Sequence, residues 1–174
     1  MRASLLFALV STALLVACSM KVVRVDMDPA RLAVSSSPEE TAGLACDYRL
    51  GEVVDARPAG ARSGGLGPHA FSFVDAADTV RSQLVQAGLS ETETASPPVS
   101  VRIAQLYLAQ NLGTKVPVAV YQVSVADEPA FVVRSQAMSM NWNGSQDEAY
   151  RAYAQVLADV NQRLLQQLNA RCVR

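Results

Sequence analysis

Hydrophobic and polar positions fall into blocks whose period changes along the chain. Residues 5–17 form an almost unbroken apolar or small run, with Ser11 and Thr12 inside it. From 19 to about 45 the pattern is weak. Val22, Val23 and Val25 make a short extended piece that Asp28-Pro29 stops, and Ser35-Ser36-Ser37-Pro38-Glu39-Glu40 has the composition of a flexible tether. Residues 47–57, with Tyr48, Leu50, Val53 and Val54, predict a first strand ended by Arg57-Pro58. The glycine-rich stretch 60–67 predicts a plain mobile loop, and Phe71 and Phe73 beyond it predict a short strand or a staple for the next helix.

That helix starts at Asp75, a good N-cap residue, with Asp78 in its first turn where the helix dipole favours negative charge. Ala77, Val80, Leu84 and Ala87 share one face, and Gly88-Leu89 match a left-handed C-terminal cap. A polar linker, 91–98, leads to three strands. In 99–110, Val101 and Ile103 have one parity and Leu106 and Leu108 the other, so a bulge near Ala104-Gln105 is required to keep them on one face. After a turn at 111–114, residues 116–125 are apolar on both parities and predict a central strand. After the turn at 127–129, residues 131–142 predict the last strand, with Met138, Met140 and Trp142 on one parity. Ser145 and Glu148 make a capping box for a helix of about 26 residues, with Ala149, Tyr150, Tyr153, Val156, Leu157, Val160, Leu164 and Leu168 on one side.

The order β-α-β-β-β-α predicts an α+β domain over 46–174, two helices packed on one face of a four-stranded sheet. It is preceded by a signal segment, 1–17, and a tether, 18–45. Met1-Arg2 and the apolar run have the form of a secretory signal, and about 13 residues are too few to cross roughly 30 Å of hydrocarbon.

Leu15-Val16-Ala17-Cys18 resembles the lipobox of bacterial lipoproteins. That resemblance implies cleavage before Cys18, acylation of its thiol and new amino terminus (palmitate among the chains), and a body hung from a membrane by lipid. Two or more acyl chains give lasting anchorage where one gives marginal binding. In lipoproteins of this class an aspartate after the cysteine favours the inner membrane, so with Ser19 there the resemblance implies the outer membrane, facing the periplasm. The competing reading is an ordinary signal peptide cut near Ala17.

Composition narrows the rest. The formal charge is −1, and loss of Arg2 takes 15 basic side chains to 14 against 16 acidic, a net of −2. No basic patch stands out, so neither nucleic acid nor an anionic lipid surface is an expected partner. With Cys18 acylated, Cys46 and Cys172 remain, an even pair in an exported chain; a disulfide would close a loop of about 125 residues, and two free thiols are the alternative. The lone histidine, His69, lies in the glycine-rich region, so a structural metal or a catalytic triad is not expected.

Hydrolase, metalloprotease and redox motifs are absent, and the glycine-rich stretch lacks the Lys-Ser/Thr of a phosphate cradle. Asp55 and Arg57 read as a strand-end ion pair before a ligand clamp. Trp142, Tyr150 and Tyr153 could line a groove for sugars or acyl chains, although their spacing also suits core. The chain is therefore expected to be no enzyme and to need no cofactor.

The lipobox, the Asp55/Arg57 pair after a strand, the helix ending in Gly88-Leu89, the run Val101-Arg102-Ile103-Ala104-Gln105-Leu106-Tyr107 and the amphipathic C-terminal helix together resemble the YajG-type lipoproteins of Gram-negative bacteria. The resemblance covers most of the mature chain and implies no catalytic residues. The expected function is an accessory or scaffold lipoprotein for an envelope complex, with an envelope protein as partner. A binding module for a lipid or peptidoglycan fragment in a helix–sheet cleft is the alternative.

Overall fold

A computed structural model describes residues 21–32, 43–92, 95–111, 114–136 and 144–172. The signal segment, Cys18, the 35–40 stretch, Leu112-Gly113, Met138, Met140 and Trp142 lie outside the described residues.

The elements are β1 (Val23–Asp26), a 3-10 turn (Pro29–Leu32), β2 (Arg49–Asp55), β3 (Gly65–Leu66), β4 (His69–Ser72), α1 (Ala76–Gln86), β5 (Pro98–Asn111), β6 (Thr114–Val125), β7 (Phe131–Arg134) and α2 (Gln146–Cys172). The main sheet runs β2-β5-β6-β7, with β2 parallel to β5 and the other pairs antiparallel. Both helices lie on one face of it, as the periodicity predicts. A buried chain of hydrogen bonds marks this: the Tyr121 hydroxyl on β6 donates to Asn161 Oδ1 on α2 at 3.1 Å, and Asn161 Nδ2 donates to Gln83 Oε1 on α1 at 3.0 Å.

The predicted bulge is present. Ile103 pairs with Tyr121 and Gln105 with Val120, so Ala104 is the extra residue. The shift keeps Leu106 and Leu108 on the side already occupied by Val101 and Ile103, and all four are buried. A second register shift, between Leu50 and Val53 of β2, has no counterpart in the alternation. There Gly51 lies so close to β5 that a Cβ would sit 2.8 Å from Ser100 Oγ.

β6 is central, as its two-sided apolarity predicts. β7 covers Phe131–Arg134, and residues 137–142 of the predicted 131–142 run lie outside the described residues. Ser135 still pairs with β6, its Oγ accepting the Ala119 N–H at 3.0 Å, and the next N–H, of Gln136, donates to Asp159 Oδ2 of α2 at 2.6 Å.

Helix α2 starts on the predicted capping box: Ser145 Oγ accepts the Glu148 N–H at 3.3 Å, and Glu148 Oε2 accepts the N–H groups of Gly144 and Ser145. Its 27 residues span about 40 Å. Tyr153, Val156, Leu157, Val160, Leu164 and Leu168 are fully buried against the sheet, each aliphatic side chain stabilising by roughly 1.5–3 kcal/mol. In α1, Asp75 occupies the N-cap position but makes no side-chain cap bond; its carbonyl instead accepts both the N–H and the hydroxyl of Thr79. The other end matches prediction. Gly88 has φ +106°, Leu89 N–H donates to Leu84 O and Gly88 N–H to Val85 O, with Leu84 and Leu89 both buried.

Two expectations are corrected. Residues 60–67 are not a plain mobile loop over their whole length. Ser63 is fully buried, its N–H donates to Phe71 O, and its carbonyl accepts Leu108 N–H at 2.8 Å. Gly65-Leu66 then pair with β4 in a small sheet ordered β1-β4-β3. Nor is 18–45 a tether throughout. β1 pairs in parallel with β4, and Met27 and Leu32 are buried in the core, so the folded body takes in 23–32 as well as the predicted 46–174. Three anchors (Val25, Met27, Leu32) spread over a strand and a 3-10 turn have no single period, so alternation could not reveal them.

Candidate functional site

Of the predicted site residues, Cys18 and Trp142 lie outside the described set, and four can be placed. Cys46 and Cys172 form a disulfide, with Cα atoms 5.8 Å apart and a sequence separation of 126 positions. It ties the C-terminal end of α2 to the segment entering β2. Tyr48 supports the junction: its hydroxyl donates to Leu168 O at 3.2 Å and lies 3.8 Å from Cys172 Sγ.

Tyr150 and Tyr153 do not line a groove, which corrects that expectation. Tyr153 is fully buried, stacked edge-on by Phe73 at 5.0 Å and Phe71 at 6.3 Å, with its hydroxyl donating to the carbonyl of Ser63. Tyr150 is buried by the N-terminal segment. Its hydroxyl accepts the Asp28 N–H at 3.0 Å and sits 3.4 Å from Asp26 O, while the Arg31 guanidinium covers the ring at 3.6 Å and reaches Asp147 at 2.6 Å. Two aromatics that share a helix face with the core thus serve as sockets for other parts of the chain.

Asp55 and Arg57 form the expected strand-end ion pair in bidentate geometry, Arg57 Nε to Oδ1 at 2.8 Å and a terminal guanidinium nitrogen to Oδ2 at 2.7 Å. The guanidinium also donates to Ser63 Oγ and Leu106 O and lies 5.7 Å from the Phe73 ring. Its donors are directed at protein acceptors, which leaves the pair a structural rivet between β2, the 60–67 segment and β5. The Arg57 guanidinium holds the Asp55 carboxyl below the usual carboxylate range, partly opposed by desolvation.

The polar chain Tyr121–Asn161–Gln83 was not anticipated. It continues to the N-terminal segment, because Gln83 Nε2 donates to Leu32 O at 3.2 Å. The available signal was Asn161 itself, a polar residue between Val160 and Leu164 on the apolar face of α2. Burial pushes the Tyr121 and Tyr153 phenols well above the ordinary tyrosine range, so both remain hydrogen-bond donors at neutral pH.

His69 is half-buried at the start of β4, with Nδ1 3.4 Å from Gln146 Nε2. Among the described residues no cluster of three or more His, Cys, Asp or Glu is placed to hold a metal ion, and no helix is long and apolar enough to cross a membrane.

What these groups converge on is the segment 23–32. β4 pairs with β1, Tyr150 and Arg31 lock the turn, and the Gln83 amide fixes Leu32. The first residue of β1 stands five positions after Cys18.

No family model matches the chain, and no curated protein matches it. Among solved structures, one match is described as "Crystal structure of uncharacterized protein", 8% identical, with a TM-score of 0.40, covering 76% of this chain and 95% of that chain.

Proposed function

We propose that this chain is a YajG-like, lipid-anchored envelope lipoprotein, held through acyl chains on Cys18 at the periplasmic side of the outer membrane. It acts there as a non-catalytic accessory or scaffold that docks with another envelope protein. The observation that carries the reading is the position of Cys18. It closes a lipobox-like sequence and lies five residues before a strand that is hydrogen-bonded and packed into the body. Load placed on an anchor there passes directly into the fold. The Cys46–Cys172 disulfide suits an oxidising compartment. Asp55, Arg57, Tyr150 and Tyr153, the groups best suited to chemistry or ligand contact, are committed to internal packing.

The alternative is a cleft for lipid or peptidoglycan between helices and sheet; the burial of Tyr121, Tyr153 and Leu157 between them, with no surface open to solvent, favours the scaffold reading over it.

Labelling with an alkyne fatty acid tests the anchor. The wild-type chain should take up label, and Cys18→Ala should abolish it and leave unprocessed precursor; equal labelling of both would refute the reading. Crosslinking in intact membranes tests docking. A discrete crosslinked partner is expected, and a chain that stays solitary counts against a scaffold role.

A further inference from the structure

We infer that one end of the body, formed by Lys21–Arg24 and the Gly67-Pro68 tip of the β3–β4 hairpin, lies against the lipid headgroups of the membrane that holds the anchor. The inference rests on the acylation of Cys18 proposed above.

Chain length sets the limit. Val23 is fixed to the body, its N–H donating to Pro68 O at 2.8 Å and its Cα in register with His69. Five residue steps separate it from Cys18, a reach of at most about 18 Å fully extended. The headgroup region takes up roughly 5–8 Å of that, half the difference between the whole bilayer and its hydrocarbon core. What remains is about one Debye length at physiological salt, so charges on this end act on the headgroups with little screening.

The surface suits such a neighbour. Val22 is 62% exposed and Val23 41%, an apolar pair where the chain enters the fold. Lys21 and Arg24 flank them, both exposed, and the Lys115 ammonium lies next to the same hairpin, donating to Gly65 O at 2.6 Å. Of the acids nearby, Asp147 is paired with Arg31, while Asp26, which accepts from Ser72, keeps its charge two positions beyond Arg24. Lys21 and Arg24, both exposed beside the two valines, are the groups placed to meet anionic headgroups, which revises the expectation from composition that anionic lipid surfaces are poor partners.

Helix α2 gives the orientation. Its first residue, Gln146, touches His69 at this end, and Cys172 lies about 40 Å away along the axis. The disulfide end therefore points from the bilayer toward the periplasm. Val132, 62% exposed on β7 and paired with Gln122, stands roughly 24 Å along β6 from Lys115 and serves as the distal reference.

The test uses the full acylated chain in phosphatidylglycerol vesicles, with the photocrosslinker p-benzoyl-phenylalanine in place of Val22 or of Val132. The Val22 probe should attach to lipid at least several-fold more than the Val132 probe. Changing Lys21 and Arg24 to glutamine should lower the preference for phosphatidylglycerol over phosphatidylcholine by about five-fold per residue. Equal yields at the two positions on a chain of confirmed acyl mass would overturn this surface and leave the anchor standing. An unchanged lipid preference in the double variant would overturn the headgroup contact. A chain without acyl mass would overturn the anchor, and this orientation with it.

Discussion

The hydroxyl of Tyr150 accepts the backbone N–H of Asp28 at 3.0 Å, joining residues 122 positions apart in the sequence. Tyr150 belongs to the first turns of α2, and Asp28 belongs to the segment nearest the proposed anchor. The bond makes the N-terminal segment part of the fold, and with it whatever force the anchor transmits. Tyr150→Phe keeps the ring under Arg31 but leaves the Asp28 N–H without its partner. A loss of about 1 kcal/mol is expected, together with faster amide exchange across residues 26–32. Unchanged exchange in that segment would show that the strand pairing alone holds it.

The disulfide should contribute about 2–4 kcal/mol, chiefly by restricting the unfolded chain across its 126-residue span. Urea unfolding with and without reductant measures it. The midpoint should fall on reduction, and the paired Cys46→Ser, Cys172→Ser variant should match the reduced protein. Full alkylation of both thiols in the untreated protein would contradict the bridge.

Two glycines with the same φ of +106° separate backbone strain from crowding. A Cβ on Gly88 would meet nothing within 4 Å, whereas one on Gly64 would lie 2.9–3.0 Å from the Leu108 backbone and Cβ. Gly88→Ala should cost about 1 kcal/mol, from the left-handed conformation alone. Gly64→Ala should cost roughly 3 kcal/mol or more, since β5 must also move away. Thermal melts of the two variants compare them directly. Similar losses would mean that the 60–67 segment yields easily and is not fixed to β5.

Where a single period governed a segment, the sequence was sufficient. The bulge at Ala104, the central position of β6 and the capping box at Ser145 and Glu148 all follow from alternation or helical spacing. The misses share a different cause. Segment 23–32 and Ser63-Gly64 are held in place by backbone bonds to distant strands, and short irregular pieces leave no periodic trace. Tyr150 and Tyr153 lay on the predicted apolar face, but the partners that enclose them, Asp28 and Ser63, are more than 85 residues away in sequence. The proposed anchor was legible only as a motif, because lipidation depends on the residues around Cys18 and not on the fold that follows.

Asp55 should shape the acid limb of stability. Its folded carboxyl is held below the ordinary value of 3.8 by Arg57, so the unfolded state binds the proton more readily. The contribution is complete above about pH 4 and is lost as the pH falls through the lower folded value. Asp55→Asn should remove that acid dependence and, by leaving the buried Arg57 charge uncompensated, cost about 3 kcal/mol at neutral pH. Urea midpoints collected from pH 7 down to about pH 2 would show a flatter acid limb for the variant. Parallel curves for the two proteins would assign the acid sensitivity to other carboxylates.

The alkaline limb should belong to Tyr121 and Tyr153. Each phenol is buried and donates a hydrogen bond, Tyr121 to Asn161 Oδ1 and Tyr153 to the Ser63 carbonyl, and burial raises both above the ordinary value of 10. The native state therefore keeps two protons that the unfolded chain releases. Stability is complete below about pH 10 and declines above it, by up to roughly 1.4 kcal/mol per pH unit for each phenol. Tyr121→Phe should remove one share of that decline while costing about 1–2 kcal/mol at neutral pH, since Asn161 Oδ1 loses its donor. The decisive measurement follows phenolate absorbance and far-UV circular dichroism on the same sample as pH rises. The last of the five tyrosines should ionise only as the helical signal is lost. Ionisation of all five with the helical signal intact would show that these hydroxyls are open to solvent, and the helix–sheet interface would no longer be closed to a ligand.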